Sequence, residues 1–570
     1  MSKRVKSEEG AWVDWLERDK HIIEGLDQLG IWSVSINLYG LLLPGITNVT
    51  ERARYYAFYP WVLHNFAQSN IAGSGRVEWL HWFRSFDFGY AMACVAHEMS
   101  ESNSYSATAV VGADAARRLL RGSSGNEVID IKSSALLDEA DKVPKSGAYF
   151  KNPEGGFGQY YKNPLRDMGI IRKDPNHRYP DSQLTTYAGV PIAKSLDSQS
   201  AFHRLAELVS IGHARFSELA KLGSLLSPSA IERRSQEEIL LRRLFLGEDD
   251  NLCSGQHAPV RAWRRASLLL ALQYIRDSEL IEKDAFANEF RWACATCALP
   301  NGKPWKLQPA QKPVAAAWGA YHRNDLLNYA LESLFWVVLR MIDQGSLTPR
   351  SVARQLAGMG MRSIKASKNQ PGRHALSGHV SDWLNSCQRP ESEAEADPWG
   401  PGSTCSWAGL LEAAVRNRDD QAVAGWAIRV LGRLASDCGA FRAHPFEHMP
   451  GAVQMAAAHE VHLGRWLDRV AKHTSESLKS FIEDLTLEWI IYRHLRVATR
   501  KLSSQGVSTF KFRPEHGTLL LITDIIPDPT FTGPRLRQAH RILSDLHYLT
   551  IGTEGTRISP DGAELLESCL

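Results

Sequence analysis

Residues 127–132 carry the side chains that metal-assisted hydrolysis needs. Their sequence, Glu-Val-Ile-Asp-Ile-Lys, places Asp130 two residues before Lys132 on a predicted strand. Two carboxylates would bind a divalent ion, and the lysine would orient the attacking water or stabilise charge growing on a phosphate. Asp114 is the candidate second carboxylate, although it lies at the start of a predicted helix. A nuclease that uses Asp114, Asp130 and Lys132 is an alternative hypothesis, and a short exposed strand or loop is favoured.

Two cysteines with a short spacing, Cys294 and Cys297, raise the question of zinc. Four soft ligands suit a structural zinc ion, and the other candidates are Cys253 and His257, well upstream. These two are not spaced as a ligand pair from one tight turn, and no glycine separates Cys294 from Cys297. Two buried thiols on one helix face are therefore the favoured interpretation.

A group of histidines lies further along the sequence: His444, His448, His459 and His462, with Glu460. The pattern lacks the two histidines four residues apart, with an intervening general base, that zinc proteases use. Surface or helix-capping histidines are favoured. The sequence also contains neither a glycine-rich phosphate loop nor a Gly-x-Ser-x-Gly motif. We therefore expect no metal, no cofactor and no catalysis by this chain alone.

Cations crowd one face of a predicted helix at 535–546. Its inner face is apolar, and its outer face carries Arg535, Arg537, His540 and Arg541. Thr532 is the expected N-cap, and Pro534 suits the first turn because its missing N–H would be unpaired there. These side chains are the main candidates for contact with nucleic acid.

The elements around this helix have the order of a winged helix-turn-helix. An amphipathic helix at 482–495 and an alternating strand at 509–513 precede it. A strand at 548–551, a tight turn, a strand at 556–558 and a closing helix capped by Ser559 follow it. A winged helix-turn-helix can lay its second helix in the major groove of DNA.

The same order of elements recurs earlier in the chain. Residues 165–171 line up with 543–549, and residues 184–189 line up with 557–562. The two copies differ by five residues, which we place in the hairpin, where length changes are tolerated. The helix of the first copy, at about 158–168, offers only Lys162 and Arg166 as cations. The fold class is therefore mainly α with two winged-helix modules, which bind either DNA or protein.

A predicted aromatic helix near the N-terminus also carries arginines. Arg52 and Arg54 precede Tyr55, Tyr56, Phe58 and Tyr59. Guanidinium groups beside aromatic rings can hold phosphates or stack on bases. The favoured alternative is an aromatic helix packed into a core, with the two arginines exposed.

Composition sets further limits. The chain has 570 residues, a net charge of +3, a pI near 8.3 and eight cysteines. A mildly basic balance means that nucleic-acid contact must come from local patches. Scattered cysteines read as reduced thiols, and the sequence has no apolar run that would span a bilayer. A cytoplasmic protein is expected.

The chain is long enough for several cores. We expect an aromatic-rich helical domain at 1–105, a winged-helix-like module at 106–199 and a central helical domain at 200–388. An acidic linker rich in proline and glycine, 389–403, then leads to a helical segment at 404–476 and the C-terminal winged helix at 477–570.

Three segments resemble recurring landmarks of large uncharacterised bacterial proteins encoded in restriction and phage-defence gene clusters. They are LLLPGITNVT at 41–50, YFKNPEGGFGQYY at 149–161 and WGAYHRNDL at 318–326. The resemblance implies a subunit that acts beside a separate ATPase or nuclease. The spacing of Asp130 and Lys132 separately resembles the metal-binding strand of the PD-(D/E)xK nuclease superfamily.

The expected function is that of a non-catalytic, DNA-associated subunit of a bacterial assembly for defence against foreign DNA, with duplex DNA and other protein subunits as partners. The alternatives are a metal-dependent nuclease and a protein-docking scaffold.

Overall fold

The structure is a computed structural model. It describes residues 27–569, except for 73–74, 102–105, 133–148, 176–181, 248–257, 283–284, 302, 346, 367–377, 388–406, 440–443, 450 and 507. Cys253, His257 and the expected linker at 389–403 lie outside the described residues.

The described residues of the first half of the chain are mainly helical, with four short strands. Its helices are α1 Trp32–Leu42, α2 Tyr55–Gln68, α3 Arg76–Ser100, α4 Ala113–Leu119, α5 Lys162–Asp167, α6 Gly189–Asp197, α7 Ser200–Ile211, α8 Phe216–Leu226, α9 Gln236–Leu246, α10 Ala258–Asp277, α11 Phe286–Thr296 and α12 Lys312–Asp343. A π-helical turn, Phe157–Tyr161, precedes α5, and a 3₁₀ turn, Pro309–Gln311, precedes α12. The strands are β1 Val128–Asp130, β2 Ile171–Arg172, β3 Gln183–Leu184 and β4 His213–Arg215.

The described residues of the second half are also mainly helical, with short strands. Its helices are α13 Pro349–Ala366, α14 Val380–Ser386, α15 Trp407–Arg416, α16 Asp420–Gly439, α17 Ala452–Ala457, α18 Leu463–Lys472, α19 Leu478–Leu485, α20 Tyr492–Gln505, α21 Leu536–Asp545 and α22 Pro560–Cys569. A π-helical turn, Thr486–Ile491, separates α19 from α20. The strands are β5 Phe512–Glu515, β6 Thr518–Leu521, β7 Leu549–Ile551 and β8 Thr556–Ile558.

The described strands pair in antiparallel twos: β1 with β4, β2 with β3, β5 with β6, and β7 with β8. The mainly α class is therefore confirmed. Among the described helices, none is long and apolar enough to cross a bilayer.

Two sequence expectations for local structure need correction. Within the expected central helical domain, the helical spacing of 203–225 predicts one helix. This helix is interrupted, because Gly212 has a φ of 92° and the chain then forms β4. The strand expected at 509–513 begins later, at Phe512, and continues into a hairpin. Gly517, with a φ of 78°, supplies the left-handed conformation that the hairpin turn needs.

The described residues form two compact units. Unit 1 contains the described residues up to Ser35 with Arg323–Glu447 and Gly451–Thr532. Unit 2 contains Ile36–His322, the short segment at 448–450 and Gly533–Leu570. Both units are therefore built from segments that are far apart in sequence.

Aromatic side chains of α2 form the centre of unit 2. Tyr55, Tyr59 and Trp61 are fully buried. Tyr161 packs against this group, with its ring centroid 4.9 Å from that of Tyr55. The core interpretation of the aromatic helix is thus confirmed.

The core of unit 1 is also aromatic. Trp383, Trp466 and Phe481 are buried, and the rings of Trp466 and Phe481 lie 5.9 Å apart. α13 packs against α16 and α19.

Candidate nucleic-acid interface

The two predicted copies end their first helix with the same turn in unit 2. The backbone N–H of Gly169 donates to the carbonyl oxygen of Arg166 at 2.9 Å, and that of His547 donates to the carbonyl oxygen of Ser544 at 3.0 Å. Gly169 and His547 both have left-handed backbones, with φ of 73° and 60°. In each copy, the backbone N–H of the next residue donates to the carbonyl oxygen five residues earlier, at 2.9 Å in both copies. The alignment of 165–171 with 543–549 therefore describes real local geometry.

A buried hydroxyl then fastens the last helix of each copy to this turn. Thr185 donates to the carbonyl oxygen of Gly169 and accepts from the N–H of Gly189, at 2.8 and 3.0 Å. Ser559 donates to the carbonyl oxygen of His547 and accepts from the N–H of Gly562, at 2.6 and 3.1 Å. The expected cap at Ser559 is confirmed.

The two glycines play equivalent roles. A Cβ at Gly189 would lie 2.2 Å from the carbonyl oxygen of Ile170, and one at Gly562 would lie 2.4 Å from that of Tyr548. However, Thr185 bonds to the fourth residue after it and Ser559 to the third. One of the five extra residues of the first copy therefore lies at the start of the helix. The expectation that all five lie in the hairpin is wrong.

The start of the basic helix differs from the sequence expectation. α21 begins at Leu536, and the residue before it, Arg535, has a φ of 61°. Thr532 does not cap the helix, because its hydroxyl donates to the Asp325 carboxylate at 2.7 Å. Pro534 consequently precedes the first turn instead of lying in it.

Three of the four candidate groups on α21 make contacts inside unit 2. The Arg535 guanidinium lies 4.9 Å from the Tyr39 ring centroid, and burial lowers its pKa. Arg541 forms an ion pair with Glu51. His540 bonds through Nε2 to the Thr556 hydroxyl at 3.0 Å. These contacts hold α21 in its own unit.

Arg537 is different from the other three. Its side chain is exposed, and within the described part of the chain it forms no ion pair or hydrogen bond. It is therefore the candidate of α21 that is available to a ligand.

The arginines before α2 are structural. Arg52 donates through Nε and Nη2 to the buried Asp545 carboxylate, at 3.0 and 2.7 Å, and so joins the segment before α2 to the end of α21. Arg54 is fully buried and forms a bidentate pair with Glu237, at 2.8 and 2.9 Å. Both guanidinium groups already have carboxylate partners, and the expectation that both arginines are exposed is wrong.

The cations of the first copy are also engaged. Lys162 pairs with Glu154 at 2.9 Å. Arg166 donates to the Asn163 side chain at 3.4 Å. Whether any of these candidate residues binds nucleic acid stays a prediction.

The landmark segment at 149–161 surrounds a buried carboxylate in unit 2. Asp87 accepts hydrogen bonds from the Tyr59 hydroxyl at 2.8 Å, the Tyr149 hydroxyl at 2.9 Å and the Gly156 N–H at 2.9 Å. Burial raises the pKa of Asp87 to about 6. A Cβ at Gly156 would lie 2.1 Å from Val111, so this landmark glycine is needed for packing.

The candidate nuclease residues do not form a metal cluster. Asp114 lies on α4 and pairs with Arg117 at 2.9 Å. Asp130 lies on β1 and accepts from the backbone N–H of Lys132 at 2.8 Å, while the Lys132 ammonium donates to the Ser210 carbonyl at 2.8 Å. In the residues that the structure describes, no group of three or more histidine, cysteine or acidic side chains could hold a metal.

The cysteine and histidine expectations are met in part. Cys294 is buried, but Cys297 is exposed at the end of α11, with a φ of 55°. Cys297 therefore corrects the expectation of two buried thiols. His462 caps α18 by accepting from the N–H of Arg465 at 3.4 Å, and burial lowers its pKa to about 4.

One basic surface in unit 1 was missed. Arg350, Arg354 and Arg362 are exposed on α13. A simple signal was present, because every charged residue between Asp343 and Asp382 is lysine or arginine.

Comparisons of this chain with protein-family models, with curated proteins and with solved structures gave no match.

Proposed function

We propose that this chain is a non-catalytic, DNA-associated subunit of a bacterial multi-protein assembly that acts against foreign DNA. The observation that carries the proposal is the repeated module of unit 2, a helix, a two-stranded hairpin and a helix joined by the same hydrogen bonds in both copies. Winged helix-turn-helix proteins use this order of elements to bind DNA. The resemblance of three segments to landmarks of defence-cluster proteins supports the subunit role, with ATPase or nuclease activity on separate chains.

The test is the binding of a mixed-sequence DNA duplex across a salt series. Arg537→Ala is the informative variant on α21, because replacing Arg535 or Arg541 would also break internal contacts. Loss of one phosphate contact should make the slope of log K against log salt shallower by about 0.9. Arg118→Ala, which removes an exposed arginine from α4, is the matched control and should leave the slope unchanged. No salt-dependent binding by the wild-type chain would refute DNA association.

A protein-docking scaffold is the second candidate. It is favoured by the internal contacts of Arg535, His540 and Arg541, which leave one arginine of α21 for an external ligand. Winged helices serve as protein-docking units as well as DNA-binding ones. A scaffold would bind no duplex, yet would co-purify from its native host in fixed stoichiometry with identified subunits.

A further inference from the structure

The exposed side of α13 forms a surface that we call the α13 cationic face, defined by Arg350, Arg354 and Arg362. Four residues of helix rise about 6 Å, so Arg350 and Arg354 are about 6 Å apart along the axis, and Arg362 lies about 12 Å further on. Val352, Leu356 and other apolar side chains are buried on the opposite side. The three arginines therefore follow one exposed strip of an amphipathic helix.

Among the described residues, no acidic side chain forms an ion pair with the α13 cationic face. Within the described chain, Arg350, Arg354 and Arg362 form no ion pair and no hydrogen bond. The whole protein carries a net charge of only +3, yet the sequence from 344 to 381 contains no acid. Local concentration of positive charge of this kind attracts polyanions.

The acids on the elements packed against α13 have cation partners of their own. On α16, Asp420 pairs with Arg340 at 2.5 Å. On α19, Glu483 lies 3.9 Å from Lys479, and Asp484 pairs with Arg469. The next acid along, Glu488, lies 3.9 Å from Arg496. The described acids of these neighbours are thus engaged elsewhere.

Two glycines orient the α13 cationic face. A Cβ at Gly360 would lie 2.1 Å from Ile428, so the inner side of α13 packs tightly against α16. Gly358 lies on the exposed side between Arg354 and Arg362, and a Cβ there would meet only the Arg362 guanidinium, at 3.4 Å. Glycine in a helix interior is unfavourable by roughly 0.5–1 kcal/mol relative to alanine. At position 358, the missing side chain lets a ligand backbone approach the helix closely.

We propose that the α13 cationic face binds the phosphate backbone of duplex DNA. The inference rests on the proposed function and adds α13 as a second contact surface beside α21. Three arginines in one strip match a polyanion that carries a charge about every 1.7 Å of its axis. Because the contact is to phosphates, it gives affinity without reading sequence.

The experiment compares the full-length wild-type chain with Arg350→Gln/Arg354→Gln/Arg362→Gln in duplex binding over a salt series. Loss of three phosphate contacts should make the slope of log K against log salt shallower by about 2.7. The fold should be unchanged, because all three side chains are exposed. Circular dichroism and thermal melting check this point. The corresponding triple lysine variant retains the charges and should keep a slope close to that of the wild type.

The control replaces with glutamine three other exposed arginines of unit 1 that form no ion pair among the described residues: Arg416, Arg465 and Arg500. It lowers the net charge equally and should leave the slope unchanged. An equal decrease of the slope in both glutamine variants would overturn the inference in favour of general charge attraction. Duplex binding that is unaffected by the α13 changes would overturn the inference and leave the proposed function standing. No duplex binding by the wild-type chain would refute both.

Discussion

Replacing Ser559 with alanine should loosen the last helix of unit 2. Its hydroxyl is buried and joins the carbonyl of His547 to the N–H of Gly562. Loss of a helix cap costs about 0.5–2 kcal/mol. The part-buried His547 carbonyl, left without a donor, adds roughly 1 kcal/mol, the low end of the range for buried groups. We therefore expect the opening free energy of this helix to fall by about 1.5–3 kcal/mol.

Hydrogen exchange measured by mass spectrometry suits this prediction, because a chain with two units need not unfold in one step. A loss of this size should speed exchange in α22 by roughly 10- to 140-fold, since each 1.4 kcal/mol is about tenfold. Ser568→Ala is the control, because Ser568 lies in the same helix, is exposed and bonds only locally. Thr185→Val should act in the same way on α6. Equal exchange in the Ser559 and Ser568 variants would show that the buried hydroxyl does not hold the module together.

Three further predictions concern other parts of unit 2. Gly562→Ala should destabilise the C-terminal module in thermal melting by about 1–3 kcal/mol, because its Cβ would meet the Tyr548 carbonyl; an unchanged melting temperature would contradict the close approach. The pKa of Asp87 is raised from 3.8 to about 6, so the folded protein binds this proton more tightly than the unfolded chain. Its contribution of about 3 kcal/mol to the free energy of unfolding is present below pH 4 and is lost as the pH rises through 6. Denaturant titrations should show this gain in stability on acidification in the wild type but not in Asp87→Asn. Purified protein with magnesium or manganese should not nick DNA, and cleavage that disappears in Asp130→Ala would instead establish the nuclease alternative.

The parts of the fold that could be predicted are those encoded by neighbouring residues. The Ser559 cap, the hairpin at 549–558 and the recurrence of the turn around Gly169 and His547 depend on short-range patterns. Their hydrogen bonds join residues close in sequence, so local spacing was sufficient.

The contacts of the cationic side chains could not be predicted from neighbouring residues. Arg535 and Arg541 contact Tyr39 and Glu51, nearly the whole length of the chain away. An amphipathic pattern shows that such residues avoid the core, but it does not show whether they meet solvent or a distant carboxylate. Thr532 illustrates the same limit, because its partner, Asp325, lies on α12.

The division of unit 2 into distant segments has a consequence for synthesis on the ribosome. Its last segment, Gly533–Leu570, is translated only after about 200 residues of unit 1 have been made. At roughly 5–20 residues per second, Asp545 reaches its partner Arg52 some 10–40 s after the main body of unit 2 has emerged. During that interval the surface that will receive α21 and α22 is uncovered, so the nascent chain passes through a stage at which a chaperone would protect it from aggregation.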